Sequence, residues 1–164
     1  ALRQAISFGV KGKMTIIVAA ASGLEQFEAL GSDICDGVYF GAVYWHTIDN
    51  AFNRAFVEQV RAKFGISPNY SLAAPYINMR MLVDAMNKAK STEPKDVIGA
   101  LEGMVFESLT GTEEVRREDH QVLRDFYLIK GKAKAKMKDN DDYVDIINSG
   151  RFFLAPEKTN CKMT

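Results

Sequence analysis

The chain has 164 residues, 47% of them hydrophobic and 26% charged, and its 21 basic side chains balance its 21 acidic ones. This length and composition suit one ordinary globular domain. A net charge of zero argues against a dedicated nucleic-acid or anionic-membrane binder, and no apolar run approaches the ~20 residues of a membrane span. We therefore expect no nucleic-acid partner.

The first residues have helical spacing. Leu2, Ala5 and Ile6 fall on one face, and Gly9 is typical of a helix end. The segment lacks the apolar centre of a signal peptide. We therefore expect the chain to begin inside a helix, as a fragment of a longer polypeptide would, with no signal peptide.

A short strand and a turn of small residues follow. The β-branched run from Met14 to Ala19 predicts a buried strand. The turn after it consists of Ala20, Ala21, Ser22 and Gly23. Small residues at the carboxyl end of a strand let the backbone approach a ligand closely, but they also suit a plain strand-to-helix turn. A short helix over residues 24–30 is expected next.

The apolar and aromatic run from Asp36 to Trp45 is the central feature of the sequence. Its composition predicts a strand over residues 38–44 that is buried on both faces. Tyr44 and Trp45 stand at the carboxyl end, where open α/β sheets bind ligands, although the rings could equally be core. The strand–helix–strand alternation predicts an α/β fold with a parallel sheet.

Three helices follow. The first is capped by Asp49 or Asn50, carries an aromatic stripe of period four and ends at Gly65. A second helix begins after a loop over residues 66–71, and a third ends at Gly103.

Strands and turns dominate the chain after the third helix. Lysines occupy every second position from 130 to 138, and four acidic or amide side chains follow at 139–142. This pattern predicts a hairpin whose first strand exposes one lysine-rich face to solvent. No aromatic residue interleaves the lysines, which again disfavours nucleic-acid binding.

The sequence offers little catalytic chemistry. The common nucleotide-binding, hydrolase and metalloprotease motifs are missing, and the two histidines, His46 and His120, lie far apart. Asp119 could orient His120, but no nucleophile accompanies that pair. We predict no enzyme activity, no catalytic residue and no cofactor.

Two cysteines, Cys35 and Cys161, lie far apart in the sequence. No Cys-His cluster accompanies them, so we predict no metal site. The residues alone leave two alternatives open, which are two free thiols or one disulfide.

Small and aromatic residues at strand and helix ends form the candidate ligand-binding set. Its members are Ala20, Ala21, Ser22, Tyr44, Trp45 and Tyr70. Rings supply apolar area with a polar tip, and small residues expose backbone amides that can hold an anionic oxygen. The combination favours binding of a small organic acid without its chemical transformation.

The order of these segments resembles the carboxyl-terminal half of the branched-chain amino acid type of periplasmic binding protein, the solute receptor of an ABC importer. The segments that carry the resemblance are 2–9, 35–40, 55–57, 63–65, Tyr76, 82–89, 97–103, Phe106 and Gly111. Residues 117–121 and 160–163 resemble the branch whose members often take up aromatic or other carboxylic acids.

The resemblance implies a type I periplasmic-binding-protein fold, in which two Rossmann-like lobes joined by hinge crossovers trap the solute between them. Residues 1–42 and 108–164 would then belong to the second lobe and residues 43–107 to the first. A crossover would run from Gly41 to Thr47, with the glycine letting the chain bend. The absent amino-terminal half would complete the clamp, the location would be periplasmic, and the partner would be a membrane permease.

The resemblance also carries expectations about ligand and cysteines. Amino-acid-binding members place a carboxylate after the first strand, whereas Ala20 to Gly23 contain no acid. Since an unpaired ammonium in a closed cleft is costly, we expect an aromatic or aliphatic carboxylate without an amine. The alternatives are a branched-chain or other amino acid, or a ligand-sensing domain of the same fold. Export favours a Cys35–Cys161 disulfide, worth up to about 4–5 kcal/mol for so long a loop.

Overall fold

The structure is a computed structural model that describes residues 1–20 and 23–161. Its helices are Leu2–Ser7 (α1), Leu24–Leu30 (α2), Ser32–Cys35 (α3), Ala51–Phe64 (α4), Tyr70–Ala89 (α5) and Pro94–Leu101 (α6). Its strands are Ile17–Val18 (β1), Tyr39–Ala42 (β2), Val105–Ser108 (β3), Gly111–Val115 (β4), Val122–Leu123 (β5), Phe126–Gly131 (β6) and Val144–Gly150 (β7). The fold is mixed α/β, as the alternation of elements predicts.

Two sheets organise the chain. Sheet A has the strand order β1-β2-β6-β7, and sheet B has the order β3-β4-β5. Strands β1 and β2 pair in parallel, but β6 pairs antiparallel to both β2 and β7. The prediction of a parallel sheet therefore holds for β1 and β2 alone. Only the 3-10 turn Lys134–Lys136 lies between β6 and β7, whereas a parallel pair usually needs a helical crossover.

Strand β2 lies in the interior of sheet A, where the apolar run predicts a buried strand. Phe40 and Ala42 are buried, whereas Tyr39 and Gly41 are half-buried. Phe40 packs 4.7 Å from the ring of Phe27 on α2, measured between ring centroids. This contact fastens α2 to sheet A.

Gly41 has a different function from the one the resemblance implies. It lies within β2, opposite Leu128, so the crossover between the sheets begins after Ala42. A β-carbon at Gly41 would come within 2.5 Å of the carbonyl oxygen of Ala19. The glycine is therefore required by the close approach of the chain beyond β1, and not by a bend.

The helices after the crossover begin at capped positions. The side chain of Asn50 accepts a 2.8 Å hydrogen bond from the backbone amide of Asn53, which identifies Asn50 rather than Asp49 as the cap of α4. Gly65 ends α4 in the left-handed conformation, as predicted. Asn69 caps α5 in the same way, so the helix begins at Tyr70 within the predicted loop.

The predicted hairpin is present, since β6 and β7 pair antiparallel, but the prediction that its first strand continues through the alternating lysines is wrong. Strand β6 ends at Gly131, and Lys134–Lys136 form a single 3-10 turn. The side chain of Lys132 is only 10% exposed, because its ammonium pairs with Asp142 at 2.6 Å and Asp145 at 3.1 Å. The pattern of alternating lysines does not distinguish this buried ion pair from a solvated strand face.

The predicted disulfide is also wrong. Cys35 is a free, fully buried thiol at the end of α3, and Cys161 is a free, exposed thiol. Burial raises the pKa of Cys35 to about 11, which keeps the thiol protonated. The end of the chain is held by Arg116 instead, whose guanidinium donates a 2.9 Å hydrogen bond to the carbonyl of Leu154.

Candidate ligand-binding groove

Gly23, the residue before α2, lies beside the start of α5. Ala20 is exposed at the end of β1, whereas Ala21 and Ser22 lie outside the described residues. An ideal β-carbon on Gly23 would lie 3.6 Å from the β-carbon of Asn69 and 3.8 Å from the backbone nitrogen of Tyr70. The fold therefore brings Gly23 beside Tyr70, which is 39% exposed.

An open groove of about 180 Å³ runs between α2 and the loop 65–69. Six of its lining residues are Leu24, Glu25, Glu28, Ile66, Asn69 and Asp141. The side-chain amide of Asn69 donates a hydrogen bond to Oε1 of Glu25, which closes the groove at one point. We call this the α2 groove.

Glu25 and Asn69 are site residues that the sequence patterns did not single out. Glu25 lies in the first turn of α2, and its carboxylate folds back to within 2.7 Å of where a β-carbon of Gly23 would stand. Acidic residues are typical of first helical turns, so Glu25 is unremarkable in the sequence. Its contact with a residue 44 positions away exists only in the folded chain.

Tyr44 lies in the core rather than in the α2 groove. Its hydroxyl donates a 2.9 Å hydrogen bond to Oδ1 of Asn53 on α4. The amide nitrogen of Asn53 donates in turn to the carbonyls of His46 and Ile48. Burial raises the pKa of Tyr44, so the hydroxyl stays neutral and available for this bond. A contact between Tyr44 and a ligand stays a prediction.

Trp45 lies in the segment between β2 and α4 and contacts α2. Its side chain is 2% exposed, and its ring meets the ring of Phe27 edge-on, with 4.9 Å between centroids. The indole nitrogen is buried and has no hydrogen-bond partner among the described residues. Trp45 therefore lies behind α2, and its predicted contact with a ligand also stays a prediction.

His46 borders a second open groove of about 370 Å³ between α4 and β7. Six of the residues around this α4 groove are Thr47, Val57, Arg61, Lys132, Asp139 and Val144. Burial is the main cause that lowers the pKa of His46, and the nearby Arg61 lowers it further. Asp139, Asp141 and Asp142 oppose the shift without reversing it. The imidazole is therefore neutral at neutral pH.

His120 is not oriented by its sequence neighbour. Its Nε2 lies 3.1 Å from Oε1 of Glu102, which follows α6. Asp119 accepts two hydrogen bonds from Arg116, at 2.8 Å and 2.6 Å, and these bonds lower the pKa of Asp119. The pair that the sequence suggests for catalysis is thus divided between the Arg116–Asp119 ion pair and a separate contact of His120 with Glu102.

The profile of a family described as periplasmic binding protein matches residues 1–136. This chain belongs to the periplasmic binding protein family. An amino acid ABC transporter substrate-binding protein from Pseudomonas fluorescens is similar to it, with 42% sequence identity and a TM-score of 0.95. The match covers 99% of this chain but only 43% of that protein. The chain therefore spans less than half the length of this relative.

More distant members of the family share the fold. A branched-chain amino acid ABC transporter ligand-binding protein from Burkholderia xenovorans is 24% identical over 90% of this chain and 39% of its own, with a TM-score of 0.81. A solute-binding protein from Rhodopseudomonas palustris, in complex with 3,4-dihydroxybenzoic acid, is 20% identical over 96% of this chain and 43% of its own, with a TM-score of 0.78. A search of curated proteins gave no match.

Among the helices that the structure describes, none combines the length and the apolar character that crossing a bilayer would require.

Proposed function

We propose that this chain is part of the substrate-binding component of an ABC importer, a periplasmic receptor that binds a small carboxylate between two lobes and delivers it to a membrane permease. The observation that carries the proposal is the approach of Gly23 to Asn69 at the start of α5, beside the α2 groove that Asn69 lines. The groove begins at the first turn of α2, the helix that follows β1, and ligands of open α/β sheets commonly bind beyond the carboxyl ends of strands. Binding would shift the receptor towards its closed form, which the permease recognises.

The residues of the turn support an amine-free acid. Ala20 to Gly23 contain no carboxylate that could pair with an ammonium group. An aromatic or aliphatic acid needs no such partner, and backbone amides exposed at small residues could hold its carboxylate.

One contact favours an amino acid as a second candidate. The carboxylate of Glu25 folds back over Gly23 and could pair with an ammonium at this edge of the α2 groove. The relative that is 42% identical is described as an amino acid ABC transporter substrate-binding protein. Both observations favour a ligand that carries an amine as well as a carboxylate.

Matched ligand pairs that differ only in the amine would separate the two candidates. We would measure thermal unfolding of the full-length receptor with phenylalanine against 3-phenylpropanoate, and with leucine against 4-methylpentanoate. A ligand present at 100 times its Kd should stabilise the receptor by about 2.7 kcal/mol. Stabilisation by the acids alone would support the first candidate, and stabilisation by the amino acids alone would support the second. Consumption of the ligand would contradict a binding protein.

A Glu25→Gln variant tests the second candidate directly. If Glu25 holds the ligand's ammonium, the variant should bind the amino acid roughly tenfold more weakly or worse, since a charge-assisted contact is lost. If the ligand carries no amine, its affinity should stay within about twofold. Glu58→Gln, on the exposed face of α4, is the matched control for the loss of one negative charge.

We also propose that further polypeptide of the receptor covers one face of α5. Four apolar side chains on this face are 39–60% exposed, namely Leu72, Tyr76, Met79 and Val83. A stripe at helical spacing that faces solvent is typical of a surface that another element buries. A hydrophobic dye should bind the 164-residue chain more strongly than a full-length receptor, and equal binding would contradict the proposal.

A further inference from the structure

Arg61 and Asp139 face each other across the α4 groove. Arg61 belongs to the last turn of α4, whereas Asp139 lies in the connection between β6 and β7 of sheet A. The guanidinium Nη2 is 3.9 Å from Oδ2 of Asp139. This separation is about 1 Å longer than a charge-assisted hydrogen bond.

The guanidinium is held in place by its own side of the groove. Its Nε and Nη2 both donate to the hydroxyl oxygen of Ser67, at 3.0 Å and 2.8 Å. Ser67 is 5% exposed, and Pro68 beside it is among the fully buried side chains. The loop that carries these residues is thus packed, and Arg61 is directed towards Asp139 before any contact forms.

The carboxylate is oriented from the opposite side. Oδ1 of Asp139 accepts a 2.9 Å hydrogen bond from the backbone amide of Asp141, which fixes the side chain against its own turn. The second oxygen, Oδ2, is the one that faces Arg61. Both partners are therefore preorganised, so a small closing movement loses little side-chain entropy.

The same loop already makes a contact at the neighbouring groove. Asn69, two residues after Ser67, donates a hydrogen bond to Glu25 on α2. The buried core contains residues of both sides, among them Val60 of α4 and Ile129 of sheet A. The two sides also touch at Asn69, whereas Arg61 and Asp139 are still 3.9 Å apart at the exposed edge of this boundary. The α4 groove, which Arg61 and Asp139 both line, is the part of this boundary that is still open.

We propose that Arg61 and Asp139 form an interlobe latch, whose ion pair becomes a hydrogen-bonded contact when the two sides close. The proposal rests on the proposed function, since it assigns the two sides to the two lobes of the receptor. The side chains of Arg61 and Asp139 are 45% and 56% exposed, so the pair is weak. A weak latch suits a receptor, because a strong one would close the cleft without solute and remove the response to binding.

Charge reversal with a distance measurement tests the latch. In a Cys161→Ser background, spin labels placed by Glu58→Cys on α4 and Ser149→Cys on β7 would report the separation of the two sides. Cys35 is buried and its pKa is raised, so it should resist labelling. Arg61→Glu and Asp139→Lys should each raise the ratio of open to closed arrangements roughly three- to fivefold. The double variant should restore the original distribution of distances between the labels. In the parent chain, 1 M salt should screen the ion pair and so raise the ratio of open to closed arrangements, in the same direction as a single reversal.

Arg54→Glu is the matched control, because Arg54 lies on the same helix and pairs with Asp49 within its own segment. If Arg61→Glu and the parent chain gave the same distribution of label distances, the latch would be wrong. It would also be wrong if the double variant folded but kept the open arrangement of a single reversal. If a reversal unfolds the chain, Arg61→Gln and Asp139→Asn should give the same direction of change. No solute is present, so this result is independent of the ligand panel that tests the proposed function.

Discussion

The hydroxyl of Tyr44 donates a 2.9 Å hydrogen bond to Oδ1 of Asn53, and this bond joins the crossover to the first turn of α4. Asn53 is fully buried. Its amide nitrogen donates to the carbonyls of His46 and Ile48, at 3.0 Å and 2.8 Å. The side chain of Asn53 therefore holds the segment between β2 and α4 at three residues, and these bonds fix the position of the start of α4 relative to that segment.

Removing that amide should destabilise the chain strongly. Asn53→Ala leaves the Tyr44 hydroxyl and the His46 carbonyl without the partners seen here, and the Ile48 carbonyl keeps only the backbone amide of Asn50, so the free energy of unfolding should fall by roughly 3 kcal/mol. Tyr44→Phe removes one bond and should cost about 1 kcal/mol. Urea unfolding followed by the fluorescence of Trp45, the single tryptophan, would measure both changes.

The control for this pair is Asn87→Ala, an exposed asparagine on α5. It should change the free energy of unfolding by no more than about 0.5 kcal/mol. Tyr44→Phe should cost less in the Asn53→Ala background than alone, because the two side chains share a bond. Full additivity of the two changes would contradict the network.

Replacing Gly131 and Gly99 by alanine should change the free energy of unfolding in opposite directions. A β-carbon at Gly131 would overlap the carbonyl oxygen of Cys35 in α3. Gly131→Ala should therefore lower the free energy of unfolding by at least about 3 kcal/mol. Gly99 lies within α6 with nothing near its missing β-carbon, so Gly99→Ala should stabilise by about 0.5–1 kcal/mol. Thermal and urea unfolding would give both signs. A neutral Gly131→Ala would show that α3 does not pack against β6 in this way.

His46 should make the chain sensitive to mild acid. Burial lowers the pKa of His46 in the folded chain below its ordinary value of 6.5, so below that pH the unfolded chain takes up the proton first. The free energy of unfolding should therefore fall as the pH drops below about 6.5, by at most about 1.4 kcal/mol per pH unit from this residue.

The test compares slopes rather than absolute stabilities. His46→Gln removes the titrating group, so its unfolding free energy should depend less on pH between about 6.5 and 5 than that of the parent chain. The other ionisable groups are common to both proteins and cancel in the comparison. Parallel curves for the two proteins would contradict a lowered pKa at His46.

The two thiols should differ in reactivity. Exposed Cys161 should be alkylated rapidly at pH 8, whereas Cys35, with its pKa raised to about 11 by burial, should react only after unfolding. Mass measurement without reductant should find one alkylated thiol in the folded chain and two in urea. A chain that reacts with neither thiol until it is reduced would contain the disulfide that the structure lacks among its described residues.

Local patterns in the sequence were sufficient for the elements that depend on local physics. The aromatic stripe with Asn50 before it and Gly65 after it predicts α4, and the apolar run around Phe40 predicts the interior strand β2. Helix caps, left-handed glycines and side-chain periodicity depend on residues close together in the sequence, so they can be recognised without knowledge of the fold.

The lysine pattern shows where such reasoning fails. Alternation alone predicts a solvated strand face, but Lys132 turns inward to Asp142 and Asp145. A buried ion pair depends on where the partner carboxylates lie in space, and the spacing of the lysines carries no information about that.

By itself, the sequence determined the capped helix α4 and the interior strand β2. Only the tertiary structure decided that Tyr44 and Trp45 are buried, that Cys35 and Cys161 stay apart, and that Asn69 reaches Glu25. These are relations between residues far apart in the chain. They depend on how sheet A and the helices pack, and packing follows from shape and burial across the whole molecule rather than from local spacing.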